Sequence, residues 1–467
     1  MTRSLLAQAN ERRLSTIDNT ADSQRRALEQ YLTPPETAAY AASMFNAASS
    51  GTITCLDLGA GTGMLSMALI DRFGSKINLT AIELDPVLAE TCSEELSSTG
   101  IHFEMILGDA LTIQPQGKFD KVILNPPYSK MPAKDSRQGL LPVKCANFYA
   151  AFVVLAIQSL KEDGECVAII PRSWTNGDYF APFRNWLFDN ASIDWMHVYD
   201  SRKEVFSDTN VLQETMLVKF SKRPQHHTIK VTESHGKSDV VNESSFPANE
   251  LICGLKKKKV VRIRPAEQSL IAGMRPLVEL GLLASTGKIV DFRSREKTCS
   301  EPGPNCVPLV YSCNFSNNGF HHPVDAGKMQ WYRCEDSKDE KLLIGPGAFV
   351  VVKRFSSKEE QKRIKAYAFF PKIPVALENH QNYIHCGKSR NTIPLDDETA
   401  KGLSIWLNSS IIDDWFRSVS GSTQVNASDL NQIPTPSVSQ LHSLSTRWAA
   451  MLTQKEIDTI CKELINE

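Results

Sequence analysis

The sequence predicts a doubly wound α/β domain built on a mostly parallel sheet, followed by a second, mixed α+β domain. Three observations carry that expectation. From about residue 50 to 222, short β-rich apolar runs alternate with helical patterns. A glycine-rich turn joins the first run to the first helix. After "KRPQHHTIK" the texture changes to isolated β runs in a background rich in Pro, Gly and Asn.

Residues 1–30 read as a polar helix, with Leu and Ala spaced three and four apart. The β runs that follow are "TITCLDL", "INLTAIEL", "FEMILGD", "DKVILN", "ECVAIIP", "IDWMHVYD" and "TMLVKF". Helical patterns such as "MLSMALIDRF", "VLAETCSEEL" and "FYAAFVVLAIQSL" separate them. Such alternation predicts parallel strands with helices on both faces. The last run follows "WMHVYD" without room for a crossover helix, so it is expected to be antiparallel. The expected divisions are therefore 1–223, 224–440 and a closing amphipathic helix over 441–467.

A chain of 467 residues is too long for one ordinary core. Hydrophobic content of 42% and charged content of 22% suit a soluble globular protein. The best apolar run, "YAAFVVLAIQ", is about half the roughly 20 residues of a membrane span. "MTRSLLAQANERR" turns polar too soon for a secretory signal, so a cytoplasmic location without a membrane is expected. Eleven scattered cysteines argue for a reducing compartment. Cys299, Cys306, Cys313 and Cys334, with His321 and His322 between, lack the CxxC spacing that seats two thiolates on one ion, and no metal is expected. The formal net charge of −1 hides a division: residues 250–375 hold 22 Lys+Arg and 13 Asp+Glu, a net +9, against 30 and 40, a net −10, elsewhere. A basic block of this kind suits a polyanion, though solvated lysine-rich loops look the same.

"TCLDLGAGTG", residues 54–63, is a strand, an acid and three glycines before a helix. Gly59, Gly61 and Gly63 permit a tight turn and a close ligand approach. "LTAIELD" ends in acids about 25 residues on, where a ribose diol needs an acceptor. Glu83 follows the apolar run directly, while Asp85 precedes Pro86 and is placed to begin a helix. A third strand ends in "GDA", setting Asp109 where an adenine amino group can donate. Any one of these acids is explained as a helix cap; three at successive strand ends describe a nucleoside pocket. With no GxxxxGK[ST] and no GxGxxG, S-adenosylmethionine suits the pocket better than a dinucleotide.

The fourth strand runs into "NPPY", residues 125–128, which can neither continue a sheet nor easily be buried. Carboxyl ends of strands near the topological switch are where ligands lie. Proline has no N–H, so Pro126 and Pro127 offer carbonyls and no donors. An exocyclic amine donating to the Asn125 side chain and the Pro126 carbonyl is drawn toward tetrahedral geometry, with its lone pair free for a sulfonium methyl. Tyr128 offers a flat face for a heterocycle. No strong base is needed, because the proton leaves after the nitrogen has become cationic. The bland alternative is a rigid turn after a strand.

In order, "YLTPPETAAYAASMF", "DLGAGTG", "IELD", "GDA", "NPPY", "FYAAFVVLAIQSLKEDG" and "KEVFSDTNVLQETMLVKF" resemble the gamma-class N6-adenine DNA methyltransferases of restriction–modification systems. The resemblance covers roughly residues 26–222 and implies a Rossmann-like methyltransferase domain that uses S-adenosylmethionine. By that resemblance Tyr31, Thr33 and Pro34 line the methionine side of the cofactor with Asp57, Gly59, Ala60 and Gly61. Glu83 takes the ribose hydroxyls and Asp109 the adenine. Asn125 borders cofactor and target, and with Pro126, Pro127 and Tyr128 it holds a flipped-out adenine, Phe206 stacking on the other face.

The second domain resembles the target-recognition regions of these enzymes in "GKIVDFRSRE", "VVVKRFSSKEEQKRIKAY", "ENHQNYIH" and "GSTQVNASDLNQIPTP". Lys288, Arg293, Arg295, Lys353 and Arg354 suit phosphates of double-stranded DNA, and Gln424 and Asn426 suit adenine edges. The resemblance also implies a separately encoded restriction endonuclease as partner. Alternatives on the same residues are N4-cytosine, RNA or protein-glutamine methylation, and a non-catalytic DNA-specificity subunit.

Overall fold

The computed structural model describes residues 5–19, 32–47, 51–199, 215–234, 240–253, 259–265, 271, 273–316, 319–356, 360–388, 391–419, 424–449 and 451–466. The chain divides into two compact units, Met1–Pro265 and Ala266–Glu467.

The first unit opens with α1 (Leu5–Asn19) and α2 (Pro35–Ser43). There follow β1 (Ile53–Leu58), α3 (Met64–Phe73), β2 (Ile77–Glu83), α4 (Pro86–Ser97), β3 (His102–Leu107) and β4 (Phe119–Leu124). Then come α5 (Phe148–Ser159), β5 (Leu160–Pro171), α6 (Ala181–Asn190), β6 (Ser192–Tyr199), β7 (Thr215–Ser221), β8 (Thr228–Ser234) and β9 (Val240–Pro247). Nine strands form one sheet in the order β3-β2-β1-β4-β5-β7-β6-β8-β9. β1 to β5 are parallel, and β7 runs antiparallel to both β5 and β6, as expected. The order reverses at β1, which lies between β2 and β4, and the carboxyl ends there form the crevice such sheets use for ligands.

Burial explains the apolar runs. Cys55, Leu56, Leu58, Val122, Ile123 and Leu124 are all fully buried, as strands covered on both faces must be. α5 is apolar all round because it lies wholly inside, with every residue from Tyr149 to Ile157 buried. β3, at the sheet's edge, leaves Leu107 exposed. Asp85 caps α4 by accepting from the Val87 and Leu88 N–H groups.

The sheet extends past the expected boundary at 223/224. β8 pairs parallel with β6, and β9 antiparallel with β8, so both strands belong to the first unit. The boundary reading followed the change in composition, but Thr232, Glu233 and Ser234 of β8 are buried polar residues of the sheet, and β9 is its exposed edge strand. The close of the chain differs too. Two helices, Val438–Ser445 and Gln454–Asn466, occupy it in place of one.

In the second unit Leu282–Thr286, Gln381–Lys388, Phe349–Lys353 and Ala366–Phe369 form an antiparallel sheet, with Asn391–Ile393 also on Gln381–Lys388. A second sheet joins Thr298–Cys299, Trp331–Arg333, Cys306–Val310, Val375–Leu377 and Leu343–Ile344. Helix Asp397–Leu407 approaches Val438–Ser445 so closely that a Cβ on Gly402 would fall 1.9 Å from the Leu441 carbonyl oxygen, which requires glycine there. All eleven cysteines are free thiols. No described helix is long and apolar enough to cross a membrane.

Candidate active site

Strand register assembles the site. β1 and β4 pair Asp57 with Ile123 and Leu58 with Leu124, so the glycine turn and Asn125 leave the sheet side by side. β2 and β3 pair Glu83 with Leu107, bringing Glu83 and the Gly108–Asp109 turn to the same edge.

Glu83 ties the glycine turn to this edge. Its Oε2 accepts from the Gly61 N–H at 2.8 Å, and its Oε1 from Leu84 and Asp85 at 2.8 and 2.9 Å. Burial raises the Glu83 carboxyl pKa, and these backbone donors oppose the rise. Gly61 adopts φ +57°, and a Cβ there would press to 3.3 Å from Leu32, beside Thr33. Asp57 is fully buried. Its Oδ2 accepts from Ser66 Oγ at 2.7 Å, whereas Oδ1 has no hydrogen-bond partner among the described residues. Burial pushes the Asp57 carboxyl up to about 7, against the Ser66 hydrogen bond. An orphaned buried carboxylate oxygen calls for a donor or a cation, and the amino-acid ammonium of S-adenosylmethionine is such a group. The residues present fit that cofactor.

Asp109 caps the turn Ala110–Ile113 through the Leu111 N–H at 3.0 Å. Its other oxygen accepts from Arg137 Nη1 at 3.0 Å. Arg137 also forks onto Asp135 at 2.9 and 2.6 Å and lies over the Phe148 ring, 4.7 Å from its centroid. Sequence reasoning missed Arg137. Its signal was the "DSR" string that begins seven residues on from Tyr128, where an acid and a basic fork stand two apart.

Asn125 is held on both sides. Its Nδ2 donates to Thr33 Oγ1 at 3.0 Å, and its Oδ1 accepts from the Tyr128 hydroxyl at 3.0 Å. The Tyr128 hydroxyl also lies 3.4 Å from the Ile169 carbonyl oxygen. The Tyr128 ring is 4% exposed and stands edge-on to Tyr149, at 6.4 Å and 90°, so in this state it serves as packing as much as an open face. Pro126 is buried and Pro127 half-buried. Asn147, also missed, donates to the Tyr128 carbonyl at 3.0 Å and stitches the "NPPY" turn to the start of α5. Pro34 precedes α2 in an extended conformation, next to Thr33. Tyr31 and Phe206 lie outside the described residues.

The seven candidates in the second unit do not converge in this way. Arg293 and Arg295 are exposed. Lys288 donates to the Lys341 carbonyl at 2.8 Å. Lys353 pairs with Glu360 at 3.3 Å. Arg354 donates to the Asn379 carbonyl at 3.0 Å and to Gln424 Oε1 at 3.2 Å. Asn426 donates to Asp429 at the start of a short helix, at 3.1 Å.

Comparison with known proteins gives the chain's family. A family model described as Eco57I restriction-modification methylase matches residues 71–206. The Type II methyltransferase M.BsuBI of Bacillus subtilis is 33% identical over 476 residues, covering 94% of this chain and 94% of its own. M.PstI of Providencia stuartii is 32% identical over 469 residues, covering 93% and 91%. The solved Type IIL restriction-modification enzyme MmeI, in complex with DNA, shares the fold with a TM-score of 0.52 at 12% identity, over 99% of this chain and 73% of that one. With a third of its residues shared along nearly the full length of such relatives, the chain belongs to the type II methyltransferases of restriction–modification systems.

Proposed function

We propose that the protein methylates the exocyclic N6 amine of an adenine swung out of double-stranded DNA at a specific sequence, protecting host DNA beside a separately encoded endonuclease. The observation that carries this reading is the β1–β4 register, which sets a proline-stiffened row of acceptors beside a glycine turn and an orphaned buried carboxylate. S-adenosylmethionine, when bound, supplies an electrophilic sulfonium methyl. Asp57 would hold its ammonium, the turn Gly59-Ala60-Gly61 its backbone, Glu83 its ribose and Asp109 its adenine, with Tyr31, Thr33 and Pro34 along the methionine side.

The chain's own part is orientation. An amide oxygen accepts two hydrogen bonds. At Asn125 the Tyr128 hydroxyl is one donor and an amine N–H of the target is the other. The Pro126 carbonyl takes the second amine N–H, and neither Pro126 nor Pro127 has an N–H to repel it. So held, the amine turns its lone pair out of the ring plane. Tyr128 and Phe206 replace the stacking that the base loses on leaving the duplex. In the second unit Arg293 and Arg295 are the phosphate contacts on which this reading rests. Lys288, Lys353, Arg354, Gln424 and Asn426 contribute by sharing groups that already have internal partners.

The same acceptor edge suits the N4 amine of cytosine or a glutamine amide. The match to relatives along the second unit supports a sequence-reading enzyme over a protein-modifying one. Sequencing modified bases in DNA from cells that express the chain tests the reading. N6-methyladenine at one recurring sequence is expected; N4-methylcytosine, or unmodified DNA, overturns it.

A further inference from the structure

Two Pro-Pro segments, 92 residues apart, meet in the first unit. One is Thr33-Pro34-Pro35 and the other Asn125-Pro126-Pro127. In each, a polar side chain stands immediately before the prolines, and the two side chains are hydrogen-bonded, Asn125 Nδ2 to Thr33 Oγ1 at 3.0 Å. A residue before proline is confined to extended backbone, and proline fixes its own φ. Both side chains therefore start from stiff backbone. Thr33 is also 5% exposed, so its hydroxyl sits where water competes poorly.

An asparagine amide has two edges of similar shape and opposite hydrogen-bonding sense, and the torsion that exchanges them is broad. A site that must accept from an amine fails when that edge presents Nδ2. The Tyr128 hydroxyl lies nearer the Asn125 oxygen, at 3.0 Å, than the Ile169 carbonyl oxygen, at 3.4 Å. Its proton is thus directed at Asn125, which fixes oxygen on the Tyr128 side and nitrogen on the Thr33 side. Thr33 completes the arrangement by accepting from that nitrogen.

We propose that Thr33 is a positioning residue that sets which edge of the Asn125 amide meets the target amine. This rests on the function proposed above and gives Thr33 a role beyond lining the cofactor. A valine at 33 keeps the shape and removes the acceptor, whereas a serine restores it.

The test compares wild type, Thr33→Val and Thr33→Ser in the full-length protein. Thr33→Val is expected to lower single-turnover methyl transfer by about 10²-fold, the scale of a small misplacement at a reacting centre. Any change in cofactor or DNA dissociation constant is expected to be at least about tenfold smaller than the loss of rate, and Thr33→Ser to recover most of the rate. A second readout needs no turnover. In asparagine-¹⁵N-labelled protein without ligands, the Asn125 side-chain amide resonance, assigned by its loss in Asn125→Asp, shifts in Thr33→Val and not in Thr33→Ser. A Thr33→Val protein as fast as wild type, an unmoved resonance, or a rate loss matched by an equal loss of cofactor affinity overturns the inference. Failure of the proposed function has a different signature: wild-type protein that leaves DNA unmethylated.

Discussion

The two units treat their functional candidates in opposite ways. In the first, residues scattered from Thr33 to Asp109 to Tyr128 are drawn to one edge of one sheet, Glu83 bonded to the glycine turn, Asn125 to Thr33 and Tyr128, and Asp109 to Arg137. In the second, most candidates are engaged in the unit's own scaffold: Arg354 with Gln424, Lys353 with Glu360, Asn426 with Asp429. Chemistry on an amine needs fixed atoms at fixed separations, and parallel strand ends provide them. Recognition of a long polyanion, the role proposed for the second unit, tolerates residues that also serve the fold of their own unit.

The largest effect that would test this contrast is at Asn125. Asn125→Ala is expected to lower transfer by at least about 10⁴-fold while S-adenosylmethionine still binds by calorimetry; loss of binding with it would break the assigned division of roles. Next comes a polar cluster in the same sheet that serves structure. Glu165 is buried between Lys121, at 2.5 Å, and Lys219, at 2.8 Å. Glu165→Ala removes the carboxylate partner of both lysines, leaving Lys219 only the Asn46 side chain at 2.9 Å, and denaturant unfolding should show a loss of about 3–5 kcal/mol. Burial pushes the Glu165 carboxyl up, but both lysines outweigh it and hold its pKa below the ordinary value. The stabilisation is therefore full above about pH 4.3 and fades as pH falls through the depressed folded value, which an acid titration of unfolding will show.

Smaller effects sharpen the second unit. Replacing Arg293 and Arg295 by Ala should reduce the slope of log affinity against log salt by about 2, one per phosphate contact, with little change between DNA sequences. The smallest is Gln424→Ala, which removes an acceptor from Arg354 and should cost about 1 kcal/mol of stability in thermal melts. A changed recognition sequence in that variant would move Gln424 from scaffold to reader.

Much of the first unit was legible in the sequence because its constraints are local. A buried parallel strand reads as an apolar run, and a strand that must stop at a ligand stops in Gly, Asp or Pro. The antiparallel β7 was expected from the lack of a helical pattern before it, and it pairs so with both neighbours. What escaped was non-local. Nothing near Asn125 announces Thr33 as its partner, and Arg137 meets Asp109 only through a loop that folds back. β8 and β9 escaped because both carry polar residues, buried in β8 and exposed in β9, that read like a linker. In the second unit the basic residues were visible but their duties were not, since an arginine that braces a loop and one that meets a phosphate look alike.

The lone oxygen of Asp57 has a consequence for solution behaviour. A carboxyl that titrates near neutrality is only partly charged when a positively charged ligand arrives, and seating that ligand favours the charged form. Uptake would then expel protons into the buffer, tightening as the medium grows more alkaline through this range, and calorimetric heats would track the ionisation enthalpy of whichever buffer receives them.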